Sequence, residues 1–175
     1  MTLATNTAAL GLKDTKIYGY TAGAYSSTGI DVPKVTQVVW GPVVAGKELE
    51  GDDSVEQYSY VKNYEGKLAF QKISLEAMES VFGGTLTSSG ETPNQKQTYT
   101  FPDVGSSMPQ FKISGQCTKV DAGLGDAVVT LTGCKVKPGS YPITMQYDNY
   151  ASIAIDVFIA DKPTLVLNET ETTLS

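Results

Sequence analysis

The chain has 175 residues, a formal net charge of −6, a hydrophobic fraction of 41 % and a charged fraction of 18 %. This length suits one domain of about 100–200 residues, and the composition excludes wholesale disorder. All 13 basic residues are Lys, so the chain has no His for a Ser-His or Cys-His catalytic pair and no Arg for bidentate DNA readout.

The N-terminal residues 1–14 are small and polar and show no sustained hydrophobic period. We therefore predict that they form a mobile N-terminal arm. They have no early Lys and no long apolar run, so we do not expect a secretory signal. No stretch approaches the roughly 20 apolar residues of a transmembrane helix. We expect synthesis in the cytoplasm and no membrane anchor.

Three segments of the first half have the composition of β-strands: 16–20, 35–44 and 58–73. Gly41-Pro42 interrupts the apolar, β-branched run of the second segment. Because proline cannot donate a hydrogen bond to a neighbouring strand, this pair predicts an edge position or a bulge. In the third segment Leu68 and Phe70 fall on one face and polar residues on the other, which predicts a half-buried strand.

One short helix is predicted after the third strand. Ser74 is a favourable N-cap, and Gly83-Gly84 offers a left-handed C-cap. Leu75, Met78 and Phe82 recur at the spacing of one helix face. A helix of about nine residues is not stable alone, so it must pack on a sheet.

The second half alternates between apolar and polar residues in three further segments: 110–120, 127–136 and 152–159. A Gly-bearing hairpin turn at 121–125 joins the first two. In the third segment Ile153 and Ile155 begin the clearest alternation of the chain. Pro163 is expected to end it, and residues 165–175 are expected to add a last strand and then fray as a C-terminal tail.

About seven short strands and one helix, without an internal repeat or linker, predict a single domain over residues 1–175. The predicted fold is mainly β: a small β-sandwich or barrel with one short flanking α-helix and an extended arm or loop. Cys117 and Cys134 lie on the two strands that the 121–125 turn joins. A register that places them opposite each other is possible, but a reducing compartment favours two buried thiols.

One acidic stretch, residues 48–56, carries five carboxylates and no Lys: Glu48, Glu50, Asp52, Asp53 and Glu56. Clustered carboxylates suit calcium, but the spacing is not that of a calcium-binding loop. The favoured interpretation of the stretch is a solvated turn between two strands, and a glycosidase-like carboxylate pair has no support in the sequence. We predict no catalytic residues, no metal site and no cofactor.

The order of the predicted turns, strands and helix resembles that of a known protein family. The turn Glu50-Gly51-Asp52-Asp53 is followed by a strand and then by a helix that begins at Ser74-Leu75-Glu76 and ends at Phe82-Gly83-Gly84. A later strand-turn-strand unit begins at Cys134 and returns through 150–156. In this order the chain resembles the tail tube (major tail) proteins of tailed bacteriophages over most of residues 14–162. The lack of Arg departs from the composition usual in that family.

The resemblance implies a structural protein of the virion tail that is assembled in the host cytoplasm. Its subunits would form hexameric rings, stacked into a hollow tube that conducts DNA without binding it specifically. The implied partners are further copies of the chain, a tape-measure protein, tail terminator and baseplate or tail-tip proteins, and a sheath protein if the tail is contractile. The implied ring carries a formal charge of −36, six times −6, which repels phosphate.

The acidic stretch is the candidate site of this assembly. Period two places Glu48, Glu50 and Asp52 on one face of an extended strand, so we expect carboxylates at the lumen or at a contact between rings. Two alternatives stay open. An Ig-like β-sandwich binding module on a virion or cell surface would remain monomeric and would be expected to show an aromatic recognition patch. An enzyme using these carboxylates would show a deep pocket and would lose activity with Asp52→Asn.

Overall fold

The computed structural model describes residues 10–50, 55–118, 125–139, 143–145 and 151–175. Within these ranges the chain is mainly β, with one short helix, α1 (Leu75–Phe82). That helix is far shorter than a membrane span requires, and no other helix occurs in the described ranges. The strands are β1 (Leu10–Thr21), β2 (Ala24–Tyr25), β3 (Ile30–Asp31), β4 (Val35–Glu50), β5 (Val55–Phe70), β6 (Thr85–Ser89), β7 (Lys96–Thr100), β8 (Phe111–Thr118), β9 (Asp126–Val136), β10 (Ile143–Thr144), β11 (Ser152–Ile159) and β12 (Thr164–Asn168).

Ten of the strands form one sheet in which every pairing is antiparallel. Its order is β2-β1-β8-β9-β11-β5-β4, and β3 pairs with β1, β10 with β11 and β12 with β9. The remaining two strands, β6 and β7, form a separate hairpin. The predicted mainly β fold with one flanking helix is confirmed.

The core lies on one face of this sheet and beneath α1. Alternate residues of β11 are buried there, as predicted, and Leu68 and Phe70 of β5 join them. Phe111 and Ile113 of β8 meet Leu131 of β9 in the same cluster. A single apolar face per strand therefore supplies one continuous core, which is what period-two alternation produces.

Helix α1 closes the core in the predicted way. The Ser74 side chain accepts a hydrogen bond from the backbone N–H of Ala77, and Gly83 ends the helix with a positive φ of 76°. Met78 and Phe82 are buried, whereas Leu75 is half-buried against the same cluster.

The chain ends differ from the sequence-based predictions. Residues 10–14 were assigned to a mobile arm, but they belong to β1, which pairs with β8 from Leu10 onward. Two register shifts between Leu10 and Asp14 break the alternation that would have revealed the strand. At the other end, β12 is followed by residues that do not fray, since Leu174 is buried.

The cysteine prediction is resolved by the register. Cys117 pairs with Ala127, and Cys134 pairs with Phe111, so the two cysteines lie at opposite ends of the β8–β9 pair. Six residues of strand separate them by about 20 Å, whereas a disulfide needs Cα atoms within about 7 Å. Both are free, and burial raises the pKa of each thiol, that of Cys134 to about 12. The facing register is therefore wrong, and the two thiols remain protonated.

Candidate assembly surface

The most unusual feature of the described chain is a long two-stranded ribbon. β11 pairs with β5 only from Tyr64 to Phe70, whereas β4 pairs with β5 as far as Glu50 and Val55. Residues 44–50 and 55–61, which we call the ribbon, thus pair only with each other among the described strands. Seven residues of strand extend about 23 Å. The ribbon begins at a register shift between Val43 and Val44.

The ribbon exposes several large aromatic and aliphatic side chains. Tyr58 is 65 % exposed, Tyr60 is 45 % exposed, and their ring centroids lie 5.9 Å apart. Val44 and Val61, which pair across the ribbon, are exposed as well. Exposed groups of aromatic and aliphatic side chains are enriched at protein–protein contacts.

Three of the predicted acidic residues, Glu48, Glu50 and Glu56, lie on the outer part of this ribbon. Glu48 accepts a hydrogen bond of 2.6 Å on Oε1 from Nε2 of Gln57, its cross-strand partner, and both side chains are exposed. Glu50 ends β4 opposite Val55, and Glu56 of β5 stands opposite Leu49. Asp52 and Asp53 lie outside the described residues. The described acidic residues therefore lie on the two paired strands of the ribbon.

The root of the ribbon is held by an ion pair. Nζ of Lys137, just after β9, lies 2.7 Å from Oε2 of Glu65 on β5, and Nδ2 of Asn63 donates to Oε1 of Glu65 at 3.1 Å. The hydrogen bond from Lys137, followed by that from Asn63, lowers the pKa of the Glu65 carboxyl. These contacts join β5 to the segment just after β9 at the position where the ribbon leaves the sheet.

A second open feature is the edge strand β12. β11 and β12 both run antiparallel to β9, so they follow one another along the same side of β9. β12 pairs with no other described strand. Leu165 is 57 % exposed and Val166 is 49 % exposed, and because consecutive residues point to opposite faces, neither face is covered there. An apolar strand that is paired on one edge only is a template for another strand on its free edge.

The segment after β12 folds back over the sheet and is anchored by one buried carboxylate. Asp126 of β9 is only 3 % exposed. Its Oδ2 accepts hydrogen bonds from the N–H and the hydroxyl of Thr172 and from Nε2 of Gln116, and its Oδ1 accepts one from Nδ2 of Asn168. We call this group the C-terminal latch. It fixes the end of β12, because Asn168 is the last residue of that strand.

The latch continues to the last residue. Glu171 forms an ion pair with Lys13 of β1, and the carbonyl oxygen of Ser175 accepts a hydrogen bond of 3.1 Å from the N–H of Gly29. A Cβ on Gly125 would clash with the backbone of Thr170, so only glycine allows the tail to pass here. The tail therefore forms part of the folded domain rather than an appendage.

The latch predicts a specific acid dependence. Burial alone would raise the pKa of Asp126, but the hydrogen bonds that it accepts outweigh burial and lower the pKa from 3.8 to about 2. The stabilisation is therefore complete above about pH 4, the unfolded-state pKa, and is lost as the pH falls toward about 2. This corresponds to about 2 kcal/mol of unfolding free energy.

Thermal or urea unfolding between pH 6 and pH 2 measures this effect. Asp126→Asn should be less stable than the wild type at pH 6, and its stability should fall less steeply with acid. Glu91→Gln, at an exposed position, is the matched control. Equal acid slopes for Asp126→Asn and the wild type would show that the latch carboxylate carries no such linkage.

Sequence reasoning located the acidic stretch but missed the ribbon aromatics and the latch. Tyr58 and Tyr60 share the period-two signature of any half-buried strand, so only their exposure in three dimensions distinguishes them. Asp126 and Thr172 are 46 residues apart in sequence. The sole local hint was Gly125, because a glycine before a strand indicates a close backbone approach. Among the described residues, no three His, Cys, Asp or Glu side chains gather as around a metal ion.

Comparison with known proteins adds no relative. No protein-family model matches the chain, and no curated protein matches it either.

Proposed function

We propose that this protein is a structural subunit of a phage tail tube, in which hexameric rings stack into a hollow conduit for DNA. The observation that carries the proposal is the ribbon. A two-stranded ribbon is marginally stable in water on its own, and this one places Tyr58 and Tyr60 in solvent. Burial against a neighbouring subunit provides the missing packing.

The identity of that neighbour follows from the open edges. Three strand edges have no partner strand in the described chain: the outer edge of β4, the edge of the ribbon part of β5 that faces away from β4, and the free edge of β12. Open edges of this length are an aggregation hazard for a monomer, and closed symmetric self-assembly removes them. A second copy of the same chain is therefore the simplest partner.

The order of parts supports the same proposal. The hairpin with an acidic end, the strand and the short capped helix occur in the order that the resemblance to tail tube proteins implies. In such an assembly further partners are a tape-measure protein inside the tube, tail terminator and baseplate or tail-tip proteins at its ends, and a sheath if the tail contracts. The role is mechanical, and the protein resides in the virion tail.

Electron microscopy of the purified protein at rising concentration tests the proposal. Hollow tubes with six subunits per ring are the expected result, with size-exclusion chromatography showing polymers that grow with concentration. An Ig-like binding module remains monomeric over the same range. A protein that stays monomeric at every concentration, and with tail-tip extract added as a nucleus, contradicts the tube.

A second experiment, charge reversal in the acidic stretch, tests where that stretch lies in the tube. Changing Glu48, Glu50 and Asp52 to Lys should make assembled tubes retain DNA, because each ammonium that neutralises a phosphate releases counterions. Retention should weaken steeply as salt is raised, and tube length should not change. Filter binding at low and high salt measures it, with Glu91→Lys on the β6–β7 connection as the control. If the triple variant binds no more DNA than the wild type, the stretch lies at a contact between rings.

A further inference from the structure

Two strands with a free edge, the ribbon part of β5 and β12, carry flanking charges in opposite order along the chain. The uncharged run 57–61 of β5 is flanked by Glu56 before it and Lys62 after it. The uncharged run 163–168 around β12 is flanked by Lys162 before it and Glu169 after it. The order of the charges along the two strands is thus reversed. Each run carries exposed apolar side chains, Tyr58 and Tyr60 on one and Leu165 and Val166 on the other.

The reversed order of the charges favours parallel over antiparallel pairing of the two runs. If the two runs lie side by side in parallel with Glu56 beside Lys162, Lys62 stands beside Asn168, next to Glu169. If they lie antiparallel with Lys62 beside Lys162, Glu56 stands beside Asn168, and the like charges of the two lysines destabilise the sheet. The neighbouring Asp161 does not cancel Lys162 at the free edge, because its carboxylate lies against Gly133 of β9.

The β5 strand of the same chain is not the parallel partner of β12. β5 and β11 are antiparallel, and β11 and β12 run in the same direction along β9. The β5 strand of the same chain therefore runs antiparallel to β12, the orientation that brings like charges together. Within the described chain the two strands are not paired. The parallel orientation is reached with the β5 of another molecule.

We propose that β12 is an acceptor edge for the ribbon of a second copy, whose β5 strand pairs with it in parallel. The proposal rests on the self-assembly proposed above and names the surfaces that make it. Because donor and acceptor are different surfaces, the contact is heterologous, and each copy that binds through its ribbon still offers β12 to the next. The C-terminal latch positions the acceptor strand β12, because Asp126 accepts a hydrogen bond from Asn168 at the end of that strand.

Charge reversal tests the pairing. Lys162→Glu should raise the protein concentration needed for assembly by about tenfold, as should Glu56→Lys, because each places like charges side by side at every contact. The double variant Lys162→Glu with Glu56→Lys restores opposite charges and should assemble at nearly the wild-type concentration. Lys96→Glu, on the exposed β7, is the matched control and should assemble normally.

Disulfide trapping tests the direction of the strands. In a Cys117→Ser background, Tyr58→Cys and Thr164→Cys are prepared as separate proteins, mixed and oxidised. Parallel pairing places these two positions opposite each other, so a mixed disulfide dimer should form well above the level of either homodimer. A dimer formed by Thr164→Cys alone would indicate β12 pairing with β12 and would overturn the proposal.

The results separate this inference from the tube itself. If the wild type forms tubes but Lys162→Glu assembles normally and no mixed disulfide appears, β12 is not the acceptor, although self-assembly stands. If single reversals weaken assembly and the double variant does not recover, the two residues are not partners, and the pairing is wrong. If the wild type never associates, both the tube and the acceptor edge are refuted.

Discussion

Replacement of residues 46–57 by Asn-Gly is expected to abolish assembly and to leave a folded monomer. Ala45 pairs with Tyr60, so Asn-Gly together with Tyr58 and Ser59 forms a four-residue hairpin loop between those two partners. The described residues of the excised part pair only within the ribbon, and none of them belongs to the core cluster. Sedimentation and electron microscopy measure assembly, while circular dichroism reports the fold.

A milder variant separates surface chemistry from ribbon length. Tyr58→Ser with Tyr60→Ser keeps both strands but removes the exposed rings, and it should weaken assembly strongly without changing the thermal midpoint. A matched change on another exposed aromatic, Phe101→Ser, should leave assembly intact. Tubes of normal appearance from the shortened chain would show that the ribbon is not the contact.

The largest expected loss of stability comes from the helix. Phe82→Ala should lower the free energy of unfolding by about 3–5 kcal/mol, because a buried ring is lost and its cavity collapses only in part. Phe82 is buried in the core cluster, and its ring centroid lies 6.3 Å from that of Phe101. At about 2–4 °C per kcal/mol for a chain of this size, the thermal midpoint should drop by roughly 10 °C.

The control for this prediction is the neighbouring ring. Phe101 is exposed, so Phe101→Ala should cost much less than Phe82→Ala. Urea unfolding of the two variants gives both free energies under one condition. Equal losses would mean that the exposed ring contributes as much packing as the buried one, and the assignment of the buried helix face would then be mistaken.

Local patterns predicted those parts of the fold that depend on neighbours in sequence. The N-cap of Ser74, the C-cap of Gly83 and the alternation of β11 are short-range features, and each was confirmed. Pro42 indicated an edge position, and β4 is the last strand of the sheet path. These predictions needed only hydrogen-bonding capacity and side-chain period.

Other parts depend on contacts that no local window contains. The hairpin of β6 and β7 was missed because Ser, Thr and Gln give it no apolar alternation. β1 was shortened because its register shifts hide the period. Within the candidate site the acidic stretch was visible as composition, but the exposure of Tyr58 follows from where β11 stops pairing with β5.

The C-terminal latch has a consequence for how the chain is made. Synthesis proceeds from the N-terminus, and Asp126 leaves the ribosome 46 residues before Thr172, which supplies two of its hydrogen bonds. A prematurely terminated chain keeps this carboxylate without those donors, and an unpaired buried charge is strongly destabilising. The domain reaches full stability only after Thr172 has been synthesised, so chains that stop before it are left as substrates for proteolysis. The carboxylate thereby couples the stability of the domain to the presence of Thr172.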